Sequence, residues 1–312
     1  MPSVLVIGEA LIDVVYSQGE SVKNIPGGSP ANTAVALSRL NTKTFMKSRT
    51  SSDEFGVLIR EYLIKQNVDL KYSLTVDEPS SVIDALILPD GSAKYSANLK
   101  GAADYGWNSD ELNQTLDSDI KIIQLGSLTS YIEPGGTNIE IWIQNLKNSN
   151  NFLLAFDPNI RHPLDGQEES LVRKRAKKLA SIAHLVKASD EDLKWINPDK
   201  TIYETAAELI YSGAKVVVMT LGSGGAVAVT ENYQTKQISA QKIKVVDTIG
   251  AGDTFSAALI TQLLEREIQH PDKIGQLSKT ELEEILINCA EAAAITCSRE
   301  GANPPLRHEV SW

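Results

Sequence analysis

The chain has 312 residues, enough to bury a large core, so one sizeable α/β domain with an appendage is expected rather than two equal ones. Apolar residues at 42% and charged residues at 22% are ordinary for a globular protein. A net charge of -10 argues against nucleic acid and anionic membrane as partners, since both reward basic patches.

The N-terminus, MPSVLVIGEALIDVV, has no basic leader and reads as a β-branched strand at Val4–Ile7, not a signal peptide. A second strand is expected over Ala10–Ser17, broken by Gly19. In PGGSPANTAVALSRLN, Ser29 suits an N-cap, Pro30 suits the first helical position, and Ala34, Leu37 and Leu40 mark an apolar face. Residues 82–99 read as a β-hairpin turning at Pro89-Asp90-Gly91. From about residue 120, strands KIIQLGSL, NFLLAF, HLVKAS and KVVVMTLG alternate with helical stretches near 137–148, 170–183 and 201–213. That alternation predicts a parallel sheet covered on both faces. The hairpin and the Ala10–Ser17 strand do not fit it and are candidates for a small separate β-element. Cys289 and Cys297, eight apart in a helical pattern, suit neither a disulfide framework nor a metal, and buried thiols in a reducing cytoplasm are expected. No apolar run of about 18 residues exists to span a membrane.

Polar residues mark the ends of those strands. Gly126, then Asp157 and Asn159, then Lys187 and Ser189, then Thr220 and Gly222 follow successive strands. In an open α/β sheet the ligand crevice lies outside the C-terminal strand ends.

The densest motif is VDTIGAGDTF (246–255), between the strand-like QKIKVV and the helical SAALITQLLERE. Gly250, Ala251 and Gly252 would then sit at a helix N-terminus, where free N–H groups and the positive end of the dipole receive an anion. A tight turn with a capping Asp is the plain alternative, but it explains poorly why acids flank the glycines on both sides. With a phosphoryl group on those N–H groups, Asp253 is placed to take the proton of an attacking hydroxyl.

Other motifs are less specific. LGSGGAVAV (221–229) is no dinucleotide fingerprint, because Val227 occupies the third small position and a strand follows where a helix is required. It reads either as a turn against which a ligand lies or as a plain hairpin turn. Gly27-Gly28 before a helix carrying Asn32, with Asp13 upstream, offers partners for sugar hydroxyls, or is simply a loop and a cap. In FDPNIR, Arg161 could clamp a phosphate in two-pronged fashion. No P-loop occurs, the four histidines lack metal spacing, and no nucleophile elbow accompanies them. Trp107, Trp142, Trp195 and Trp312 read as packing residues.

In this order, GGSPANTAVALSRL, FDPNIR, the T-x-G-x-x-G turn and DTIGAGDTF resemble the ribokinase-like (PfkB) sugar kinase family, with matches from residue 4 to about 306. FDPNIR and TCSREGANPP look most like its bacterial fructokinases. The resemblance implies a single three-layer α/β/α sandwich over 1–312, with a mostly parallel sheet and a β-lid formed by about 10–25 and 82–105. It implies that Asp253 is the catalytic base, with Arg161 beside it, and that Gly250, Ala251 and Gly252 form an anion hole. Asp13, Gly27, Gly28, Asn32, Asn159, Tyr95 and Lys100 then fall on the sugar. Lys187, Ser189, Thr220, Gly222 and Gly225 fall around ATP. The family's N-x-x-E segment, linked to Mg²⁺, is Ser189-Asp-Glu-Asp192 here, which keeps an acid but a shorter one. The G-D-D that often precedes E-F-G is likewise altered, to Ser51-Ser-Asp53. Asp192 is thus the residue matched to Mg²⁺, and Asp247 with the Gly301 loop matches a K⁺ site of some members.

The expected function is ATP-dependent phosphorylation of a ketose primary hydroxyl, fructose first, in a cytoplasmic homodimer. A 2-keto-3-deoxygluconate kinase is the alternative within the class, and a nucleoside kinase a more distant one. A non-catalytic sugar sensor is the alternative outside it, which loss of the base or of the glycines would favour.

Overall fold

The computed structural model describes residues 1–17, 20–87, 93–149, 152–161 and 167–312, with backbone alone at 17, 20, 21, 87 and 93–95. In β1 (Ser3–Ile7), Val4 and Val6 face one core while Leu5 and Ile7 face another, all at most 1% exposed. A strand of branched residues buried on both sides is what a parallel sheet with two covered faces demands.

After β1 come β2 (Leu11–Ser17), β3 (Glu20–Gly27), α1 (Ser29–Arg39), β4 (Lys43–Lys47), β5 (Arg49–Ser51), α2 (Glu54–Lys65) and β6 (Leu74–Val76). The middle of the chain gives β7 (Val82–Ile87), β8 (Ala93–Asn98), α3 (Ser109–Leu112), β9 (Ile120–Gly126), α4 (Gly135–Ser149) and β10 (Leu153–Asp157). Then follow α5 (Glu169–Ile182), β11 (Leu185–Ser189), α6 (Asp190–Ile196), α7 (Ile202–Ser212), β12 (Val216–Thr220) and β13 (Ala226–Thr230). The chain closes with α8 (Ala251–Glu265), α9 (Pro271–Ile274) and α10 (Lys279–Cys297).

The central sheet runs β13-β12-β11-β10-β9-β1-β4, and only the β12–β13 pair is antiparallel. One face packs on α1, α2, α8 and α10, the other on α4, α5, α6 and α7, which makes three layers. Strand order reverses beside β1, so the crevice that such a reversal opens lies at the C-terminal ends of β1 and β9. The expectation of a mostly parallel α/β sandwich holds.

A separate four-stranded sheet runs β3-β2-β7-β8, with β2 and β7 parallel. It contains the segments expected to form a lid, although Gly19 and the turn Pro89-Asp90-Gly91 lie outside the described residues. Buried Asp104 ties the feet of this sheet together: Oδ1 accepts the Ala10 N–H at 2.9 Å and Oδ2 the Ser81 hydroxyl at 2.5 Å.

Two local expectations fail. Ser29 is not the N-cap of α1. That place is taken by Gly28, whose φ of 100° suits glycine, while Ser29 and Pro30 are the first helical residues. QKIKVV (241–246) is no strand but irregular exposed chain, since no neighbouring strand is there to pair with it. Among the described residues no helix is long and apolar enough to cross a membrane.

Candidate active site

The site grows from the start of α8. Gly250 is its N-cap, with φ 76° and no side-chain cap, so no capping side chain claims the first-turn N–H groups, although that of Ala251 leans on the Thr248 carbonyl at 3.3 Å. A Cβ at Gly250 would stand 2.7 Å from Ala302 Cβ, and at Gly252 it would stand 3.2 Å from Lys187 Nζ. Glycine is therefore what lets the 301–304 segment and the lysine close on this turn. Asp253 follows, only 7% exposed. Ser29 Oγ donates to its Oδ1 at 2.6 Å and Asn32 Nδ2 to its Oδ2 at 3.0 Å. Burial raises the Asp253 pKa above the ordinary carboxylate range; these two bonds and the charges of Lys187 and Arg161 pull it back part of the way.

Lys187, the middle residue of β11, points to the same side. Its ammonium donates to Asp157 Oδ2 at 2.7 Å, and Ser256 Oγ, one helical turn after Asp253, donates to that oxygen at 3.0 Å. Burial alone would lower the lysine, but Asp157, Asp253 and Asp192 outweigh it and hold the ammonium firmly protonated. Burial and the neighbouring Asp192 raise Asp157 in spite of its lysine. Among the described residues, Asp157 Oδ1 is buried without a hydrogen bond. Such an orphaned oxygen beside a second carboxylate is an acceptor held in reserve.

The sugar-matched residues fall in two groups. Asn32 joins Asp253 as above. Asp13 lies on β2 against Gly27, where a Cβ would fall 2.7 Å from its Oδ2, and burial pushes its carboxyl up to about 6. Gly28 caps α1, and Asn159 holds the left-handed backbone at φ 38°. Lys100 is exposed at the end of the small sheet, and the Tyr95 side chain lies outside the described ones.

The remaining matched residues are placed as follows. Ser189 caps α6, and Asp192 answers it. Asp192 Oδ2 accepts the Ser189 N–H and hydroxyl, and its Oδ1 accepts the Ile160 N–H at 2.8 Å, which leaves one free lone pair. Thr220 ends β12, and Gly222 and Gly225 form the turn into β13. Asp247 accepts the Ile249 N–H at 3.0 Å and the Gly301 N–H at 2.9 Å, so it does join the Gly301 loop. Arg161 is exposed, near enough to Asp253 for its charge to be felt.

Sequence reasoning missed Ser256, although its i+3 spacing from Asp253 was legible. It also passed over the pairing of Lys187 with Asp157, two residues already marked at adjacent strand ends.

The description "pfkB family carbohydrate kinase" matches residues 1–309. The chain is 30% identical over 313 residues to a probable fructokinase-2 of Arabidopsis thaliana, covering 97% of this chain and 92% of the relative. Its fold is similar to a fructokinase from Xylella fastidiosa with bound ATP, at TM-score 0.87 and 20% identity, over 98% of this chain and 96% of that one. It is also similar to a Vibrio cholerae O395 fructokinase double mutant bound to fructose, ADP and potassium ion, at TM-score 0.82 and 23% identity, over 97% and 94%.

Proposed function

This chain belongs to the pfkB family of carbohydrate kinases, phosphotransferases acting on an alcohol group, and we propose that its own acceptor is the primary hydroxyl of fructose, phosphorylated by ATP to fructose 6-phosphate. One observation carries the chemistry: a buried carboxylate, Asp253, in the first turn of a helix whose N-terminus is bare of a capping side chain. The acceptor hydroxyl gives its proton to Asp253 as its oxygen bonds to the γ-phosphorus, and the bond from that phosphorus to the β,γ-bridging oxygen breaks to release ADP. The N–H groups of Gly250, Ala251 and Gly252, with Lys187 and Arg161, hold the charge that develops on the phosphoryl oxygens. Asp13, Gly28, Asn32 and Asn159 hold the sugar, and closure of the small sheet keeps water from competing as acceptor.

The nucleotide lies along the turn at Gly222–Gly225 and the stretch leading into the anion hole. In that stretch Ile243, Val245, Val246 and Ile249 are 37–58% exposed, an apolar surface that a flat base would cover. Mg²⁺ would be held by Asp157, through its orphaned Oδ1, and by the free lone pair of Asp192. Among the described residues no cluster of three or more acidic, His or Cys side chains could hold it alone, which suits an ion that takes most ligands from phosphates and water. When bound it supplies neutralisation of β- and γ-phosphate charge. K⁺ would sit at Asp247 and the Gly301 loop. Both cysteines are free, and a cytoplasmic homodimer is the form we assign, its lids meeting through exposed apolar residues such as Val22 and Leu86.

The test is a coupled ADP-release assay over a panel of sugars, with sedimentation of the unliganded protein alongside. Fructose should give the highest kcat/KM. A higher value with 2-keto-3-deoxygluconate would reassign the substrate, and sugar-independent or absent ADP release would refute the kinase reading. A monomer at micromolar concentration would remove the dimer.

A further inference from the structure

We propose that Ser29 is a positioning residue for phosphoryl transfer, its hydroxyl holding the Asp253 carboxylate turned toward the acceptor; the inference rests on the reading of Asp253 as the base. A serine at a helix start is ordinarily a cap. Here Gly28 holds the cap position and no side-chain cap bond exists, while the Ser29 hydroxyl reaches an aspartate 224 residues further along the chain.

Its position is fixed from both sides. Gly28 enters α1 with φ 100°, and the Pro30 ring fills the space beside Gly8, where a Cβ would fall 2.2 Å from Pro30 Cγ. The backbone that carries the hydroxyl is therefore fixed beside Asp253, and at 2.6 Å the hydroxyl makes a charge-assisted bond of the short, strong kind. Each carboxylate oxygen has one donor, Ser29 on Oδ1 and Asn32 on Oδ2, so rotation of the group is blocked while each oxygen keeps a lone pair for the incoming proton.

The two donors differ in their other duties. Asn32 is assigned to the sugar, so its amide has a second claimant once substrate binds. Among the described residues, the Ser29 hydroxyl donates to Asp253 alone. The charged groups facing Asp253 are Lys187 from β11 and Arg161 from the loop after β10, with Asp157 behind the lysine. A neutral hydroxyl is the contact that favours the carboxylate without adding charge to the phosphate site.

The test compares Ser29→Ala, which removes the donor, with Ser29→Thr, which keeps it. Ser29→Ala should lower kcat about fivefold near neutrality, leave the sugar KM within about twofold, and move the acid limb of kcat upward by about one pH unit. Ser29→Thr should restore the limb. Carbon-13 titration of the Asp253 carboxyl, which needs no turnover, should show the same upward move in Ser29→Ala. If the alanine variant does not fold, Ser29→Cys, with its weak S–H donor, should show a smaller move of the same sign. A kcat unchanged from the parent, or an unmoved carboxyl titration, would overturn the inference. Asp253→Asn as active as the parent would instead overturn the base reading itself. An inactive Asp253→Asn together with an unmoved titration in Ser29→Ala would overturn only the role of Ser29.

Discussion

Replacing Lys187 with methionine tests how the site keeps three aspartates together. The lysine and Asp157 side chains are 9% and 5% exposed, so their pair is buried and neither can turn to water. Methionine fills most of the space but leaves Asp157 with Ser256 as its one described donor and an Oδ1 that already had none. Breaking a buried pair by removing one partner costs about 3–5 kcal/mol. With an unfolding entropy of about 2.1 cal/mol/K per residue over 312 residues, Tm should fall by about 5–8 °C at pH 8.

The pH dependence follows from sign. Burial already raises Asp157 and Asp253 above the ordinary carboxylate range, so the folded state binds their protons more tightly than the unfolded one. Stability is then lost as pH rises from the unfolded value through the folded one. Without the Lys187 charge both folded values climb further, and more is lost over a window reaching to higher pH. The Tm gap between parent and variant should thus widen from mildly acid toward mildly alkaline pH. Differential scanning calorimetry across that range measures it. A gap that stays constant with pH, or no loss at pH 8, would show that Lys187 does not hold these carboxylates in their ionised form.

Further outcomes are specific. Asp253→Asn should lower kcat by about 10²–10⁴-fold with the ATP KM little changed, as steady-state kinetics would show. Gly250→Ala forces a Cβ onto a φ of 76° and to 2.7 Å from Ala302, so it should raise the ATP KM and lower kcat while circular dichroism stays unchanged. Asp13, raised to about 6 by burial, loses its ionised form below that pH, so calorimetric sugar affinity should fall about tenfold between pH 7.5 and pH 5. In Asp13→Asn that pH dependence should vanish.

The sheet was legible because alternating strand and helix periods leave few alternatives, and the start of α8 because two glycines and an acid open a helix. What stayed hidden depends on distant partners. QKIKVV has the β-branched residues of a strand, yet a strand needs a neighbour, and that segment has none. Its exposed Ile and Val are better accounted for by a ligand than by a sheet. Ser29 has the residue type of a cap, and nothing local reveals that its hydroxyl crosses to α8. Asp192 has the acid of a metal ligand, and only the structure shows three hydrogen bonds already drawn to it.

The two ends of α1 explain why Asp253 and the Gly250–Gly252 turn stay in register. At its start, Ser29 and Asn32 hold Asp253. At its end, Arg39 Nη1 donates to Asn303 Oδ1 at 2.6 Å and to the Pro304 carbonyl at 2.9 Å. That segment carries Ala302 against Gly250 and the Gly301 N–H to Asp247. One helix thus sets both Asp253 and the Gly250–Gly252 turn, each of them on or just before α8. Asp13 stands apart from this frame on the small sheet, which is joined to the body at its feet by Asp104. Under the proposed function, phosphate chemistry is built on the central body, where a displacement of an ångström would cost much of the rate. On the same proposal, sugar recognition is shared with the small sheet, and its closure would bring substrate to a carboxylate that is already in place.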